Sequence, residues 1–294
     1  MTRPQQGYLY LTLAMAIVGS TVVASKLIAA GLPPFTATAL RFAVAFPLFL
    51  ALMKLTGAAW QRPDRRDRVL LLVQAGAGSV GYTTLLITGL SLGTAADAGV
   101  VIGTLPVVSA AIAVLVLGER PDRRFLLALV LAAGGVLAIT LRGGAEGPRA
   151  WLGTVLVLGA VLCEGLFILL NKRLRTDVPP LALSTLMTGL GLAVALGPAL
   201  LERPWRLDPD PAALGAVLYY ALVPTVGGFL LWYAGSARVS GAEASLFTAL
   251  APVTALLLAA AVLGEPVGAG QAVGICCVLA AVLILAVPRA PSPS

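Results

Sequence analysis

The sequence predicts an all-α integral membrane protein with ten transmembrane helices, arranged as two five-helix halves. Three observations support this prediction: 59% of the residues are hydrophobic and only 11% are charged, long apolar runs recur along the chain, and the second half repeats the pattern of the first. An ordinary soluble domain carries about 25% charged residues. The chain therefore has too little polar surface for water, and we expect a lipid bilayer to surround it.

The apolar runs predict where the helices cross the membrane. A bilayer core of about 30 Å requires roughly 20 apolar residues in a helix. Runs of suitable length, each bounded by charged residues, proline or glycine, predict spans at residues 7–30, 34–54, 69–91, 95–117, 124–141, 150–170, 181–201, 212–235, 241–263 and 269–287.

The distribution of Lys and Arg predicts that both termini lie in the cytoplasm. Cytoplasmic loops of membrane proteins carry an excess of basic residues. With the N-terminus inside, fourteen of the 20 basic residues lie on the cytoplasmic side and Arg41 lies within the second span. The five remaining residues lie outside: Lys26, Arg142, Arg149, Arg203 and Arg206.

Residue types that are missing or scattered argue against several classes of function. The chain has no histidine, which excludes histidine zinc sites and Ser-His-Asp triads. Its three cysteines lie inside apolar runs without metal-ligand spacing. The net charge of +7 is spread between apolar runs rather than along one basic stripe. We therefore expect no metal, no cofactor, no enzymatic activity and no nucleic-acid partner.

A duplication relates the two halves at a constant offset of 146 residues. Each half, 1–146 and 147–294, contains five predicted spans, so the second half enters the membrane in the opposite orientation. Such inverted repeats are common in secondary transporters, whose substrate site lies near the membrane midplane between the halves. Matched pairs include Gly7 with Gly153, Gly19 with Gly165, Lys26 with Lys172, Asp97 with Glu243, and Pro106 with Pro252.

The fourth span of each half ends in the same motif, Leu117-Gly118-Glu119 and Leu263-Gly264-Glu265. With this motif and the duplication, the whole chain resembles the drug/metabolite transporter superfamily, and within it the ten-helix EamA type. It looks most similar to the YddG-type amino-acid exporters. The resemblance implies a protein of the bacterial inner membrane that exports amino acids, aromatic or of broad range, and related small metabolites. We expect a monomer.

Small residues and prolines in spans four and nine predict close helix contact and bending. Gly99 and Gly103 form a GxxxG pattern, which lets two helix backbones approach closely. We expect the two spans to cross near the axis that relates the halves. Pro106 and Pro252 each remove a backbone hydrogen bond within a span, so that they serve as hinges or simply shape the bundle.

Four ionisable residues within or near the ends of predicted spans are candidates for a functional role. An ionisable group inside the membrane marks a functional site by default, which singles out Arg41 and Glu164, either as direct partners or joined through water. Glu164 shares a helical face with Phe167, so both are expected to line a cavity or a gate. Lys26 and Lys172 end the first span of each half, where they either reach the lipid headgroups or attract a carboxylate from a cavity.

Polar and aromatic side chains in spans three and eight predict a lining for the same cavity. Ser79, Tyr82 and Thr83 lie on one helical face by their three- and four-residue spacing, and side chains of this kind suit a wetted interior. Phe229 and Trp232 can face inward together from span eight. An aromatic lining would suit the side chains of amphipathic amino acids.

The function that these patterns favour is secondary export by alternating access, driven by a gradient because the chain has no ATP-binding motif. Export of another small metabolite or a drug is the alternative within the same superfamily. An intramembrane enzyme is a distant alternative, since the chain has neither a histidine nor a GxGD motif, and Ala77-Gly78-Ser79-Val80-Gly81 misses the GxSxG pattern. A channel would require a carbonyl filter or rings of charge, and the sequence contains neither pattern.

Overall fold

The structure is a computed structural model that describes residues 3–58, 63–117, 123–142, 149–176, 178–236, 238–239, 247 and 250–286. Throughout these residues the secondary structure is helical, without a β-strand. The helices are α1 (Arg3–Gly31), α2 (Pro34–Thr56), α3 (Arg65–Leu92), α4 (95–117), α5 (Arg123–Arg142), α6 (Ala150–Lys172), α7 (Pro180–Leu201), α8 (211–236), α9 (Leu250–Leu263) and α10 (Ala269–Ala286). Residues 241–246, predicted to begin the ninth span, lie outside the described residues.

Most of these helices are long and apolar enough to cross a membrane. Within the described part of the chain, six meet both criteria: Gln5–Gly31, Pro34–Thr56, Arg65–Leu92, Ala150–Leu170, Pro180–Leu201 and Pro211–Trp232. Three shorter apolar helical segments, Phe125–Ala138, Leu250–Leu263 and Ala269–Ile284, lie in α5, α9 and α10. The chain is therefore a multi-pass membrane protein.

Proline starts the second helix of each half. Pro34 and Pro180 occupy the first helical position of α2 and α7, and each follows another proline with an extended backbone. Proline suits this position because its fixed φ angle is helical and the missing N–H would have no partner within the helix. Proline therefore starts α2 and α7 for the same chemical reason.

The third helix of each half contains a π-helical segment at the equivalent place. These segments are Gln74–Gly81 in α3 and Ala221–Gly228 in α8. In α8, Pro224 has no N–H to donate to the Tyr220 carbonyl four residues earlier, and the Thr225 hydroxyl donates to this oxygen at 2.9 Å. A π turn widens the helix locally and changes the direction of the side chains beside it, which explains why π turns are frequent at functional sites.

The helix α4 is interrupted where proline makes regular hydrogen bonding impossible. Its two segments are Ala95–Ile102 and Leu105–Leu117. Pro106 cannot donate to the carbonyl of Ile102, and its ring crowds the preceding turn. The Thr104 hydroxyl donates to the Val101 carbonyl at 2.7 Å and satisfies one backbone group at the break. By contrast, Pro252 lies inside α9 without interrupting its described part.

The helix contacts follow the duplication. Equivalent helices pack against each other: α2 with α7, α4 with α9, and α5 with α10. The other main contacts occur in related pairs, since α1 packs on α9 as α6 packs on α4, and α1 packs on α8 as α6 packs on α3. A two-fold relation between the halves produces this kind of reciprocal packing.

The contact between α4 and α9 depends on small residues. A Cβ atom at Gly99 would lie 3.1 Å from the Cβ of Ala255, and one at Gly103 would lie 3.0 Å from the Cβ of Pro252. A Cβ at Gly103 would also meet Val278 of α10 at 2.6 Å. The two glycines of the GxxxG pattern therefore lie where α4 packs closely against α9 and α10.

Candidate functional site

Arg41 lies on α2, deep in the bundle, and only 8% of its surface is exposed. Its guanidinium carbon lies 4.2 Å from the centre of the Phe42 ring and 4.6 Å from that of Tyr220. An arginine over aromatic rings is stabilised by attraction to their electron-rich faces. The Nε atom of Arg41 has no hydrogen-bond partner among the described residues. The charge is therefore held in place by rings, while at least one of its donors is unused.

Glu164 lies on α6, deep among packed helices, yet part of its surface is accessible. The positive charge of Arg41 attracts its carboxylate, although no ion pair within 4.0 Å joins these two residues. The two charges predicted from the sequence are therefore brought into electrostatic range without contacting each other.

Two tyrosines and a threonine complete the group around these charges. Tyr82 on α3 and Tyr220 on α8 both interact with the side chain of Thr21 on α1, and both lie within electrostatic range of Arg41 and Glu164. Tyr82 directly follows the π segment of α3, and Tyr220 directly precedes that of α8. We call these five residues, Thr21, Arg41, Tyr82, Glu164 and Tyr220, the polar cluster.

Other residues that the sequence singled out have roles in helix structure. Thr83 is 1% exposed, and its hydroxyl donates to the Ser79 carbonyl at 2.9 Å. Ser79 itself is half-buried on α3. The Nζ atom of Lys26 donates to the carbonyls of Leu90 at 2.8 Å and of Gly93. Lys26 thus caps the C-terminus of α3, where a cation complements the helix dipole. The side chain of Lys172 lies outside the described residues.

The three predicted aromatic residues lie in three separate apolar clusters. Phe167 packs against Gly78 and belongs to a cluster with Leu71, Ala75, Leu183 and Met187. Phe229 packs with a cluster that contains Ala45 and Phe49 on α2, whereas Trp232 packs with Ala14 and Met15 on α1. The structure therefore does not bring Phe229 and Trp232 together as one lining.

Sequence reasoning missed Thr21 as a member of the polar cluster and assigned Tyr220 no role in it. The sequence does contain a signal for Tyr220, because the residue 146 positions earlier is Gln74, which is also polar and is fully buried. Polar residues at matched positions of two apolar spans are unusual. No comparable signal marks Thr21, since its counterpart is Phe167.

Two glutamates of the second half cap helices of the first half. Glu265 accepts hydrogen bonds from the first two N–H groups of α4, at 3.0 and 2.8 Å. Glu202 accepts hydrogen bonds from the N–H groups of Phe35 and Thr36 in α2, at 3.1 and 2.6 Å. A carboxylate at a helix N-terminus satisfies unpaired donors and complements the helix dipole. Glu119 and Glu243, the counterparts of Glu265 and Asp97, lie outside the described residues.

Two buried aspartates also join the halves. Asp97 on α4 accepts a hydrogen bond from the Gln271 amide nitrogen on α10 at 2.7 Å. Asp67 on α3 accepts hydrogen bonds from the backbone N–H of Thr176 at 2.8 Å and from its hydroxyl at 2.7 Å. These carboxylates have protein donors from the opposite half and therefore act in packing. Glu164 is different, because its carboxylate interacts with Arg41 only through space.

The site and the duplicated fold together indicate the class of protein. No group of three or more His, Cys, Asp or Glu within the described residues is placed to hold a metal ion. A helical membrane protein with charged residues between two repeated halves has the architecture of a secondary transporter. The EamA-like transporter family matches residues 5–141 and again residues 151–287, and the chain belongs to this family.

Comparison with individual proteins gives the same class. The uncharacterized transporter YetK of Bacillus subtilis is 33% identical over 295 residues, covering 98% of this chain and 89% of YetK. The "probable terminal-alkyne amino-acid exporter" of Streptantibioticus cattleyicolor is 28% identical, covering 70% of this chain and 68% of that protein. The "probable amino-acid metabolite efflux pump" of Salmonella typhimurium is 26% identical, covering 95% of this chain and 94% of that protein.

A solved crystal structure shares the fold. It matches with a TM-score of 0.66 and 20% sequence identity, covering 96% of this chain and 98% of that chain. The likeness extends over the complete bundle, including both matched halves.

Proposed function

We propose that the protein exports amino acids and related small metabolites across the bacterial inner membrane by alternating access. In this proposal the ten helices all cross the membrane, both termini lie in the cytoplasm, and the halves 1–146 and 147–294 form an inverted repeat. The substrate site is the polar cluster. Rocking of the halves about this site would expose it to one side of the membrane and then to the other.

The main support for the proposal is that both halves of the chain contribute residues to the polar cluster. Thr21, Arg41 and Tyr82 come from the first half, whereas Glu164 and Tyr220 come from the second. A site built by both halves changes its access whenever one half moves against the other. Ionisable residues deep in a membrane protein are also expensive to keep, and they commonly mark a substrate or ion pathway.

The choice of amino acids as substrates is supported by the names of two relatives. The proteins from Streptantibioticus and Salmonella are described as exporters of amino acids or their metabolites. The resemblance to YddG-type exporters supports the same class. The presence of one positive and one negative side chain in the cluster suits molecules that carry both charges.

The first test is release of labelled amino acids from proteoliposomes. Vesicles containing the purified protein are preloaded with each member of an amino-acid panel, and release is compared with that from protein-free vesicles. We expect saturable release of several amino acids by the native protein and by Asp208→Asn, a change at an exposed loop residue. Glu164→Gln should abolish most of the release. If the native protein releases none of the panel, amino acids are not its substrates.

A second test addresses the orientation in the membrane. In a variant whose three cysteines are replaced by alanine, Asp208→Cys and Arg66→Cys place single thiols at exposed positions between or near the helix ends. We expect a membrane-impermeant maleimide to label Cys at position 208 in intact cells. Labelling at position 66 should require permeabilised cells. The reverse pattern would contradict cytoplasmic termini.

A further inference from the structure

We infer that the polar cluster recognises the two charged ends of a free α-amino acid. Arg41 and the Tyr220 hydroxyl bind the carboxylate, and Glu164 binds the ammonium group. This inference rests on the proposed export function and names the chemical feature that selects its substrates. Molecules that lack either charged end are not accommodated.

Aromatic rings contact the guanidinium group of Arg41 and leave at least one of its donors without a partner among the described residues. The Phe42 and Tyr220 rings lie over it at 4.2 and 4.6 Å. All five guanidinium N–H donors point outward in the plane of the group. The unpartnered Nε atom is among them. A carboxylate matches these donors because it accepts two parallel hydrogen bonds from a guanidinium fork.

Glu164 supplies the complementary end because it lacks the partners that other carboxylates have. Asp67, Asp97, Glu202 and Glu265 each accept hydrogen bonds from the opposite half of the protein. Glu164 accepts none from the described residues and is attracted to Arg41 only through space. An ammonium group carries three donors and no acceptor, so it can satisfy this carboxylate.

The separation of the two charges explains why a zwitterion fits better than a simple ion. Arg41 and Glu164 attract each other only through space, so each retains its capacity to bind an opposite charge. A cation alone would leave the arginine unpaired, and an anion alone would leave the carboxylate unpaired. A site with buried polar groups rejects ligands that leave them unpaired much more strongly than an apolar pocket rejects a change in size.

The test measures binding of matched ligands to the purified full-length protein by isothermal titration calorimetry. The probes are L-phenylalanine and L-leucine, each with its methyl ester, its decarboxylated amine and its deaminated acid. The same four compounds are added for any amino acid that is released faster from proteoliposomes. Within a series the side chain is constant, so differences in affinity report the charged ends alone.

The native protein should bind each amino acid at least about 30-fold more tightly than its three derivatives, as expected when one partner of a buried charge pair is removed. Arg41→Met should remove the discrimination between the amino acid and its amine. Glu164→Gln should remove the discrimination between the amino acid and its deaminated acid. Arg41→Lys keeps the charge, so it should retain part of the first discrimination and control for misfolding.

The outcomes separate this inference from the proposed function. If amino acids are released from proteoliposomes but esters and amines bind equally well, export stands and the recognition scheme is wrong. The scheme is also wrong if both variants weaken all four compounds by the same factor. If no amino acid is released or bound, the proposed function fails and the recognition scheme fails with it.

Discussion

The polar cluster has a counterpart in the other half, and the two regions differ in almost every side chain. At an offset of 146 residues, the positions of Thr21, Arg41, Tyr82, Glu164 and Tyr220 correspond to Phe167, Met187, Gly228, Val18 and Gln74. Both charges and both phenol groups are thus confined to one of the two equivalent sites. The two halves therefore share their helices but not the charged and phenolic side chains of the polar cluster.

The counterpart region is packed as apolar core. Phe167 and Met187 belong to a cluster with Leu71, Ala75 and Leu183. Gln74, the polar residue there, donates to the Phe167 carbonyl at 3.0 Å and is fully buried.

By contrast, the glycines at helix crossings are alike in the two halves. A Cβ at Gly153 would lie 2.9 Å from the Gly89 carbonyl, and the equivalent pair, Gly7 and Gly235, also approaches closely at 3.4 Å. The two halves therefore share these helix crossings, whereas the charged side chains are confined to one of the two equivalent regions.

The largest expected loss of stability comes from placing an arginine, as at position 41 of the polar cluster, at the matched position of the apolar cluster. Met187→Arg puts a guanidinium into the apolar cluster, at a side chain that is 3% exposed. An uncompensated buried charge lowers the free energy of unfolding by about 3–5 kcal/mol. Thermal unfolding of the detergent-solubilised protein should therefore begin at a much lower temperature, or the variant should fail to accumulate.

The control for this prediction is Leu201→Arg, at a helix end where the side chain is 83% exposed. A long cationic side chain there can reach water, so the unfolding temperature should change little. An equal loss of stability in both variants would show that the apolar cluster is not specifically sensitive to charge.

An intermediate effect is expected where matched glycines meet different neighbours. A Cβ at Gly19 would lie 2.6 Å from the Ala251 carbonyl and 2.9 Å from the Ala255 nitrogen, both of which are backbone atoms. At Gly165 it would lie 2.7 Å from the terminal methyl of Ile112, which can rotate away. Gly19→Ala should lower the free energy of unfolding by about 1–3 kcal/mol. Gly165→Ala should have a clearly smaller effect in the same unfolding assay, and equal effects would contradict the difference between the two crossings.

The smallest expected effect is the loss of stability when the hydrogen bond beside Pro224, in the π segment of α8, is removed. Thr225→Val removes the hydroxyl that donates to the Tyr220 carbonyl and should lower the free energy of unfolding by about 1 kcal/mol. Thr254→Val removes a similar bond to the Leu250 carbonyl, but in a regular helix, and should change the stability by less than about 0.5 kcal/mol. Chemical unfolding of both variants measures the difference. A larger effect for Thr254→Val would contradict this role of Thr225.

The helices were predictable because their physical signals are local. Apolar runs fixed their lengths, and prolines such as Pro34 and Pro180 fixed two of their starting points within one residue. The duplication was visible for a similar reason, since glycine and proline positions survive in the sequence at one constant offset. Arg41 and Glu164 stood out because charges are rare inside apolar spans.

The remaining members of the site depend on packing between helices. The π segment Gln74–Gly81 has no sequence signature, yet it ends directly before Tyr82. Thr83 was predicted on the same face as Ser79, but its hydroxyl binds the helix backbone instead. The sequence left two interpretations open for Lys26, at the lipid headgroups or in a cavity. In the structure its Nζ atom instead donates to a carbonyl at the end of α3. The Lys26 contacts join residues 64 and 67 positions apart in the sequence, which no local pattern reveals.

The most direct test of the account is the initial rate of amino-acid release by Arg41→Met. This change gives α2 the residue found at the equivalent position of α7, but it leaves Glu164 without the opposite charge of Arg41, and removing one partner of a buried pair lowers stability. We expect release at least about 30-fold slower than that of the native protein and of Asp208→Asn, when all are compared at equal density of folded protein and below the unfolding temperature of the variant. Release at the native rate would contradict the assignment of Arg41 to the transport site.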